Sequence, residues 1–303
     1  MSRLSIAIER QRARSPRWRA YLALTVGILS ISFSAILVRW ANAPGAVNGF
    51  YRQAIAMIAL AWPFFRYVRR HGAPPRRETL VAAAAGLFFA ADLVLWNSGI
   101  LISGAATPTL MANTAPLWVG LGAMLFFHEH LGGRFWLGLG LAMAGAAAIL
   151  GADISGHVGL GAFFGLMAGV FYGGYMLVMQ RSRRKLPALP AFWIAGVSAT
   201  GLLLLTALVR QDPLIGYSLT TWLSFLGLGL VTQVLGQLLV SYSLGALPAS
   251  IVSPTLLIQP ALTVVWAIPL LGEIPTAWHV AGGVALIAGV YLVNRGREKQ
   301  IED

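Results

Sequence analysis

No cysteine occurs in the 303 residues, and acidic side chains number 10 against 22 lysines and arginines. The first absence removes disulfides, thiol nucleophiles and thiolate metal sites, although in so apolar a chain it says little about redox compartment. The shortage of acid leaves a net charge of +12, which would suit a polyanion. The basic residues, however, fall in short runs between apolar segments rather than along one face or tail, which argues against nucleic acid. A GxxxxGK(S/T) phosphate loop is missing too, so ATP hydrolysis is not expected. The histidines, His71, His128, His130, His157 and His279, are scattered among the ends of apolar segments. His128 and His130 point to different sides of any helix, so neither a metal nor a cofactor is expected.

What the chain does have is apolar surface. At 57% hydrophobic and 11% charged, with mean hydropathy +0.73, it holds too few polar side chains to cover a soluble globule, so lipid must be its solvent. Segments near 20 to 41, 44 to 68, 79 to 101, 104 to 127, 134 to 151, 159 to 181, 190 to 209, 218 to 243, 248 to 271 and 277 to 294 are long enough to cross, or nearly cross, a hydrocarbon core of about 30 Å. The expected fold is an all-α polytopic membrane protein of ten helices. Linkers such as Gly72-Ala73-Pro74-Pro75 leave no room for an extramembrane domain. A cleaved signal ending at Ala41-Asn42-Ala43 is the competing reading of the N-terminus. The apolar run from Ala20 to Val38 is longer than a signal core, which favours a retained first helix.

An echo runs through these segments. Pro116, Glu129, Gly138 and Gly145 return as Pro260, Glu273, Gly282 and Gly289, each pair 144 residues apart, which marks a duplication. The expected organisation is a basic N-terminus over 1–19, a first five-helix repeat over 20–151, a second over 159–294 and a tail over 295–303. Five helices is an odd number, so the second half must enter the membrane from the opposite face, giving inverted repeats. With both termini in the cytoplasm of a bacterial-type inner membrane, that side receives six N-terminal arginines, Arg66, Arg69, Arg70, Arg76, Arg77, Arg134, the cluster Arg181 to Lys185 and the tail. The outer side receives only Arg210; Arg39 and Arg52 fall within or at the edge of helices.

The stretch Gly86-Leu-Phe-Phe-Ala-Ala-Asp-Leu-Val-Leu-Trp96, then Asn113-Thr-Ala-Pro116 with Glu129, Gln233-Val-Leu-Gly-Gln237, and Gln259-Pro260 with Glu273, resembles the EamA-type transporters of the drug/metabolite transporter superfamily. The resemblance covers essentially the whole chain and is more specific for family than for substrate. It implies a ten-helix carrier, commonly an exporter of amino acids or other small metabolites. A central cavity would be lined by the first four helices of each half, with the fifth peripheral. Arg52 matches an arginine typical of the second helix, yet the corresponding seventh, Pro190 to Val209, has none. The halves are therefore expected to be chemically unequal.

Among intramembrane residues Asp92 is the most informative, because an acid at mid-helix costs on the order of 2.5 to 3.5 kcal/mol on insertion scales and should face the interior. Arg52 and Asp92 lie at similar depths, roughly 12 to 14 Å below the outer surface by helix rise, and can meet. Two readings stay open: an architectural ion pair, or a site where Asp92 takes a substrate amine or proton and Arg52 orients it or a carboxylate. Trp96 shares a helix face with Asp92 and is read either as a cavity wall or as an interfacial belt residue; Trp18, Trp40, Trp62, Trp193, Trp222 and Trp278 suit the belt. Trp118 lies deeper, as packing or substrate wall.

Gln233, Gln237 and Ser241 recur at intervals of four, as do Thr255 and Gln259, making polar stripes expected to point inward, for substrate or for interhelical bonding. Pro116 and Pro260 are placed inside helices as kinks or gating hinges, with Asn113 positioned to satisfy a freed carbonyl or to touch substrate. Gly161, Gly165, Gly169 and Gly173 form a ridge for close helix approach. Glu129 and Glu273 mark helix ends, or a gate. The expected function is a secondary transporter working by alternating access. Its partners are a small-molecule substrate and the bilayer, the substrate class is amino acids, aromatic ones included, or related metabolites, and the state is monomer or weak homodimer. A membrane-embedded enzyme and a passive channel are the alternatives.

Overall fold

A computed structural model describes residues 17–103, 106–151, 159–271 and 277–302; Glu273, His157 and the arginines before Arg17 lie outside the described residues. Helices joined by short loops make up the described residues, with no strand among them. In chain order the helices are α1 (Arg17–Ile31), α2 (Ser34–Ala41), α3 (Gly45–His71), α4 (Arg76–Ser103), α5 (Ala106–Ala112), α6 (Ala115–Phe127), α7 (Gly133–Gly151), α8 (Gly159–Arg183) and α9 (Ala188–Val209). Then follow α10 (Leu219–Gly227), a π-helical stretch (Leu228–Gln237), α11 (Leu238–Ser243), α12 (Ala249–Leu256), α13 (Ile258–Leu271) and α14 (Ala277–Glu302). Seven helical runs among the described residues are long and apolar enough to cross a membrane: Arg17–Ala41, Arg76–Ile100, Pro108–Phe127, Gly159–Arg183, Ala188–Val209, Leu219–Ser243 and Ala249–Leu270. The other three segments expected from sequence are helices too, α3, α7 and α14.

Four of the expected rods are interrupted. The first breaks at Ser32 and Phe33, where Ser30 and Ser32 donate back to the carbonyls of Val26 and Leu29 at 2.9 and 2.6 Å, an alternative to the helical ladder that bends helices. Pro116 and Pro260 do not sit inside continuous helices. The chain breaks just before them, at Asn113 and Thr114 and again at Leu257, and each proline opens a new segment. A missing N–H and a ring that clashes with the carbonyl four residues back make the helix start a better place for proline than its middle. Asn113 and Leu257 are 144 residues apart, so the duplication carried the break with it. The fourth interruption, the π-helical stretch, has no counterpart at the same offset, since Arg76–Ser103 is α-helical throughout.

The described chain forms two compact units, and each draws helices from both halves of the sequence. One comprises the chain to Val94 together with Tyr175–Pro248. Glycines set its helix crossings. A Cβ on Gly49 would lie 2.9 Å from Leu203 Cδ2, and one on Gly236 would lie 2.6 Å from Ile31 Cγ1. Ser198 Oγ bonds the Ala83 carbonyl at 2.7 Å beside Gly86, whose missing side chain leaves room for the Ala195 backbone. At one end Tyr51, Trp222, Phe225 and Tyr217 form an aromatic cluster, and at the other Lys185 Nζ meets Glu78 at 2.9 Å. Trp193 and Trp222, expected in the membrane belt, are tied inward. The Trp193 indole donates to the Met57 carbonyl at 3.0 Å and stacks on Phe64, whereas Trp18, Trp40 and Trp62 are exposed.

The second unit comprises Leu95–Gly174 and the chain from Ala249. The glycine ridge of α8 lies along α5 and α6: Cβ atoms on Gly165, Gly169 and Gly173 would meet Pro108 Cα at 2.6 Å, Thr114 Oγ1 at 2.9 Å and Trp118 Cβ at 3.1 Å. Helices α7 and α14 cross antiparallel over a core of Phe135, Leu139, Leu257, Leu286, Val290 and Val293. Their closest points are the repeated glycines. A Cβ on Gly138 would stand 2.8 Å from the Gly289 carbonyl oxygen, one on Gly289 would stand 2.6 Å from that of Gly138, and one on Gly145 would stand 2.5 Å from that of Gly282. The pairing is reciprocal, because Gly138 and Gly282, and Gly145 and Gly289, are the offset-related positions. A contact that maps onto itself when the two copies are exchanged has local twofold character.

Candidate substrate site

The first unit holds a buried polar cluster contributed by four segments. The first turn of α3, with Gly45, Ala46, Val47 and Gly49, is buried all round, and one turn further on Arg52 has only 5% of its surface exposed. The guanidinium donates to two side chains. Nε donates to Gln233 Oε1 at 2.8 Å, and Nη1 to Ser34 Oγ at 3.1 Å, while the group lies 5.9 Å from the Phe89 ring centroid. Asp92, one turn beyond Phe89 on α4, is 8% exposed, and Arg52 is the cation whose charge bears on it. The structure therefore brings together Arg52, Asp92 and Gln233. Ser34 and Phe89 were not singled out from sequence. The triplet Ser30, Ser32 and Ser34 in an apolar run was the available signal, since all three are buried.

Gln233 belongs to the π-helical stretch, where the Leu238 N–H reaches back five residues to its carbonyl. In this wider helix the buried residues come in adjacent pairs four apart: Leu228 and Gly229, Thr232 and Gln233, Gly236 and Gln237. Gln237 and Ser241 are buried with Gln233, so this stripe turns to the interior of its unit. Single-turn π insertions recur at functional sites because they displace side chains from the α-helical register. Buried polar atoms without a hydrogen-bond partner also gather on these helices: Gln233 Nε2, both amide atoms of Gln53 and Asn48 Oδ1.

The remaining expected residues lie in the second unit. The Trp96 indole donates to Thr109 Oγ1 at 3.1 Å, and that of Trp118 to Thr114 Oγ1 at 3.2 Å, so both rings are held by threonines flanking the break at Asn113. Neither indole N–H is left for a ligand. Asn113 does not cap a freed carbonyl, because its Nδ2 is buried without a partner. The expected stripe of Thr255 and Gln259 is interrupted by the break at Leu257. Thr255 bonds back to the Ile251 carbonyl at 2.7 Å and accepts from Asn294 Nδ2, while Gln259 is half-buried. At the end of α6, His128 turns left-handed at φ 54° and stops the helix, and Glu129 Oε2 accepts from Ser250 Oγ at 2.6 Å. Among the described residues no three His, Cys, Asp or Glu side chains converge.

Long apolar helices carrying buried polar groups, in a twice-used plan, define a multi-span membrane transporter. The chain belongs to the EamA-like transporter family, whose profile matches residues 18–151 and again 159–295. It is 28% identical to the uncharacterized transporter YdfC of Bacillus subtilis over 88% of this chain and 90% of the relative. It is 29% identical to a probable terminal-alkyne amino-acid exporter of Streptantibioticus cattleyicolor, over 92% and 95%. It is 26% identical to the pseudopaline exporter CntI of Pseudomonas aeruginosa, over 89% and 95%. A crystal structure superimposes with a TM-score of 0.77 at 16% identity, covering 92% of this chain and 98% of the other, which shows a shared fold.

Proposed function

We propose that the protein is a secondary transporter that exports amino acids, aromatic ones included, or related small metabolites across a bacterial inner membrane by alternating access. The observation that carries this reading is the cluster of Arg52, Asp92 and Gln233: charged and amide groups buried in helices of a lipid-solvated chain are costly, and mark solute or ion pathways. Arg52, Asp92, Gln233 and Gln237 are the proposed binding residues of the first unit. In the second unit, Trp96, Trp118, Asn113 and Gln259 are proposed to contact solute as well. The breaks before Pro116 and Pro260 are proposed as the points about which α6 and α13 move.

The same reading takes α3, α7 and α14 as spans beside the seven apolar runs, making ten helices in two inverted five-helix repeats, 20–151 and 159–294, with both termini cytoplasmic. The reciprocal glycine crossing supports that symmetry. The exporters among the relatives support the substrate class and direction. The test is purified protein in sealed liposomes: saturable, counterflow-competent uptake of radiolabelled amino acids is expected. Flux that rises linearly with concentration and shows no counterflow would indicate a pore instead. For topology, a cysteine at Ala73 or Arg184, both exposed, should label from the cytoplasm only, and one at Ser155 from outside only. Ser182, in the last turn of α8, is fully buried and unsuited to labelling.

A further inference from the structure

Gln233 is oriented by its neighbour. A guanidinium carries only donors, so the amide that receives Arg52 Nε at 2.8 Å must turn its oxygen toward it. That choice points Nε2 the other way, where it is buried and has no hydrogen-bond partner. A buried donor left unmade costs about 1–3 kcal/mol, so the group is either idle at a cost or completed by something that comes and goes. What the cluster holds unspent is directional. Its open valence at Gln233 is a donor, which a carboxylate oxygen fills best, since a charged acceptor makes the stronger bond.

We infer that Gln233 Nε2 is the group that reads a carboxylate on the solute, and that Arg52 is a positioning residue which holds the amide in that orientation through Gln233 Oε1. The inference rests on the transporter reading above and names the solute group that its site recognises. Two of the five N–H donors of Arg52 go to Gln233 and Ser34. A buried water, which donates and accepts alike, is the competing occupant.

Sodium formate and sodium acetate are the probes, compared with sodium chloride and with formamide at matched concentration, and the readout is the melting midpoint of the detergent-purified chain by tryptophan fluorescence. Formate should raise the wild-type midpoint saturably, formamide should not, and the shift should vanish in Gln233→Leu. Gln233→Glu is near-isosteric and can pair with Arg52, so it keeps a folded control should Gln233→Leu fail, and it too should lose the shift. Arg52→Lys should weaken formate binding about tenfold, the worth of one charge-assisted bond, by freeing the amide to turn. No shift in the wild type, or the same shift in both Gln233 variants, overturns the assignment and leaves water as occupant. Unchanged formate affinity in Arg52→Lys with a lowered midpoint in chloride would make Arg52 structural only. Formate binding without amino-acid counterflow would sink the transport reading instead, and counterflow without formate binding would sink this one.

Discussion

Positions 144 residues apart in the two halves of the chain carry different chemistry. Counting 144 residues on from Arg52 leads to Gly196, and from Asp92 to Gly236. Where the first half buries an arginine and an aspartate, the second has no side chains at those two positions, and both glycines are in use. The missing Cβ of Gly196 is filled by the Met57 side chain, and that of Gly236 by Ile31. Duplication thus supplied two equivalent sets of positions, of which one became polar and the other became the contact surface that lets helices close around it. The prolines behaved differently: Pro116 and Pro260 kept their places and kept their breaks. The breaks before the two prolines were kept in both halves, whereas the break at Ser32 and the π-helical stretch occur in one half each.

Restoring symmetry should be the most damaging way to break that comparison. Gly196→Arg drives a long cation into Met57 with no acid to meet it, and losing or leaving unpaired a buried charge costs roughly 3–5 kcal/mol before any overlap is counted. The expected result is loss of the monodisperse peak in fluorescence-detected size-exclusion chromatography; a normal peak and normal flux would mean that position 196 does not stand where the offset puts it. Next in size is Arg52→Gln, which leaves Asp92 without its cation. A similar destabilisation of about 3 kcal/mol or more is expected, and Arg52→Gln with Asp92→Asn should recover most of the lost thermal stability without recovering transport. Recovery of both would make the pair architectural.

Asp92→Asn alone should leave a folded protein that transports poorly or without pH dependence, because the amide keeps the shape and deletes the titrating charge. Wild-type rates at every pH would move the search to Trp96, Trp118 and Asn113. Smaller still is the effect expected of Pro260→Ala against Pro116→Ala. Neither proline removes a helical bond that its segment start would otherwise make, so each change should alter stability by about 1 kcal/mol or less and act on turnover instead. Equal slowing by the two would sharpen the claim that the halves share their moving parts; slowing by only one would divide the labour between them.

Much of the fold was legible because hydrocarbon imposes a length rule that a hydropathy pattern states directly, and because a duplicated proline and glycine pattern survives divergence. The breaks at Asn113 and Leu257 were half legible. Proline announced a disturbance, but whether it kinks a rod or starts a new one depends on what fills the gap, here the α8 glycines against Thr114. The break at Ser32 and the π-helical stretch over Leu228–Gln237 carried no such mark, since apolar residues around them read as unbroken helix. In the candidate site, depth alone suggested that Arg52 and Asp92 could meet. That Arg52 would bond Gln233 required two helices distant in sequence to be brought together, which no local pattern encodes. The indole bonds of Trp96 and Trp118 to Thr109 and Thr114 were missed because threonine in an apolar helix more often bonds its own backbone.

The glycine crossing of α7 and α14 bears on where such a chain comes from. A polypeptide holding only one half would carry both Gly138 and Gly145, and two copies meeting antiparallel would satisfy each other as these helices do, as an isologous dimer needing no second gene product. Joining the copies end to end turns that encounter into an intramolecular one, at effective concentrations of order mM rather than whatever expression provides. Once assembly no longer depends on two identical partners, each copy is free of the other's constraints. An arginine acquired in one half is then no longer forced to appear, unpaired, in its twin.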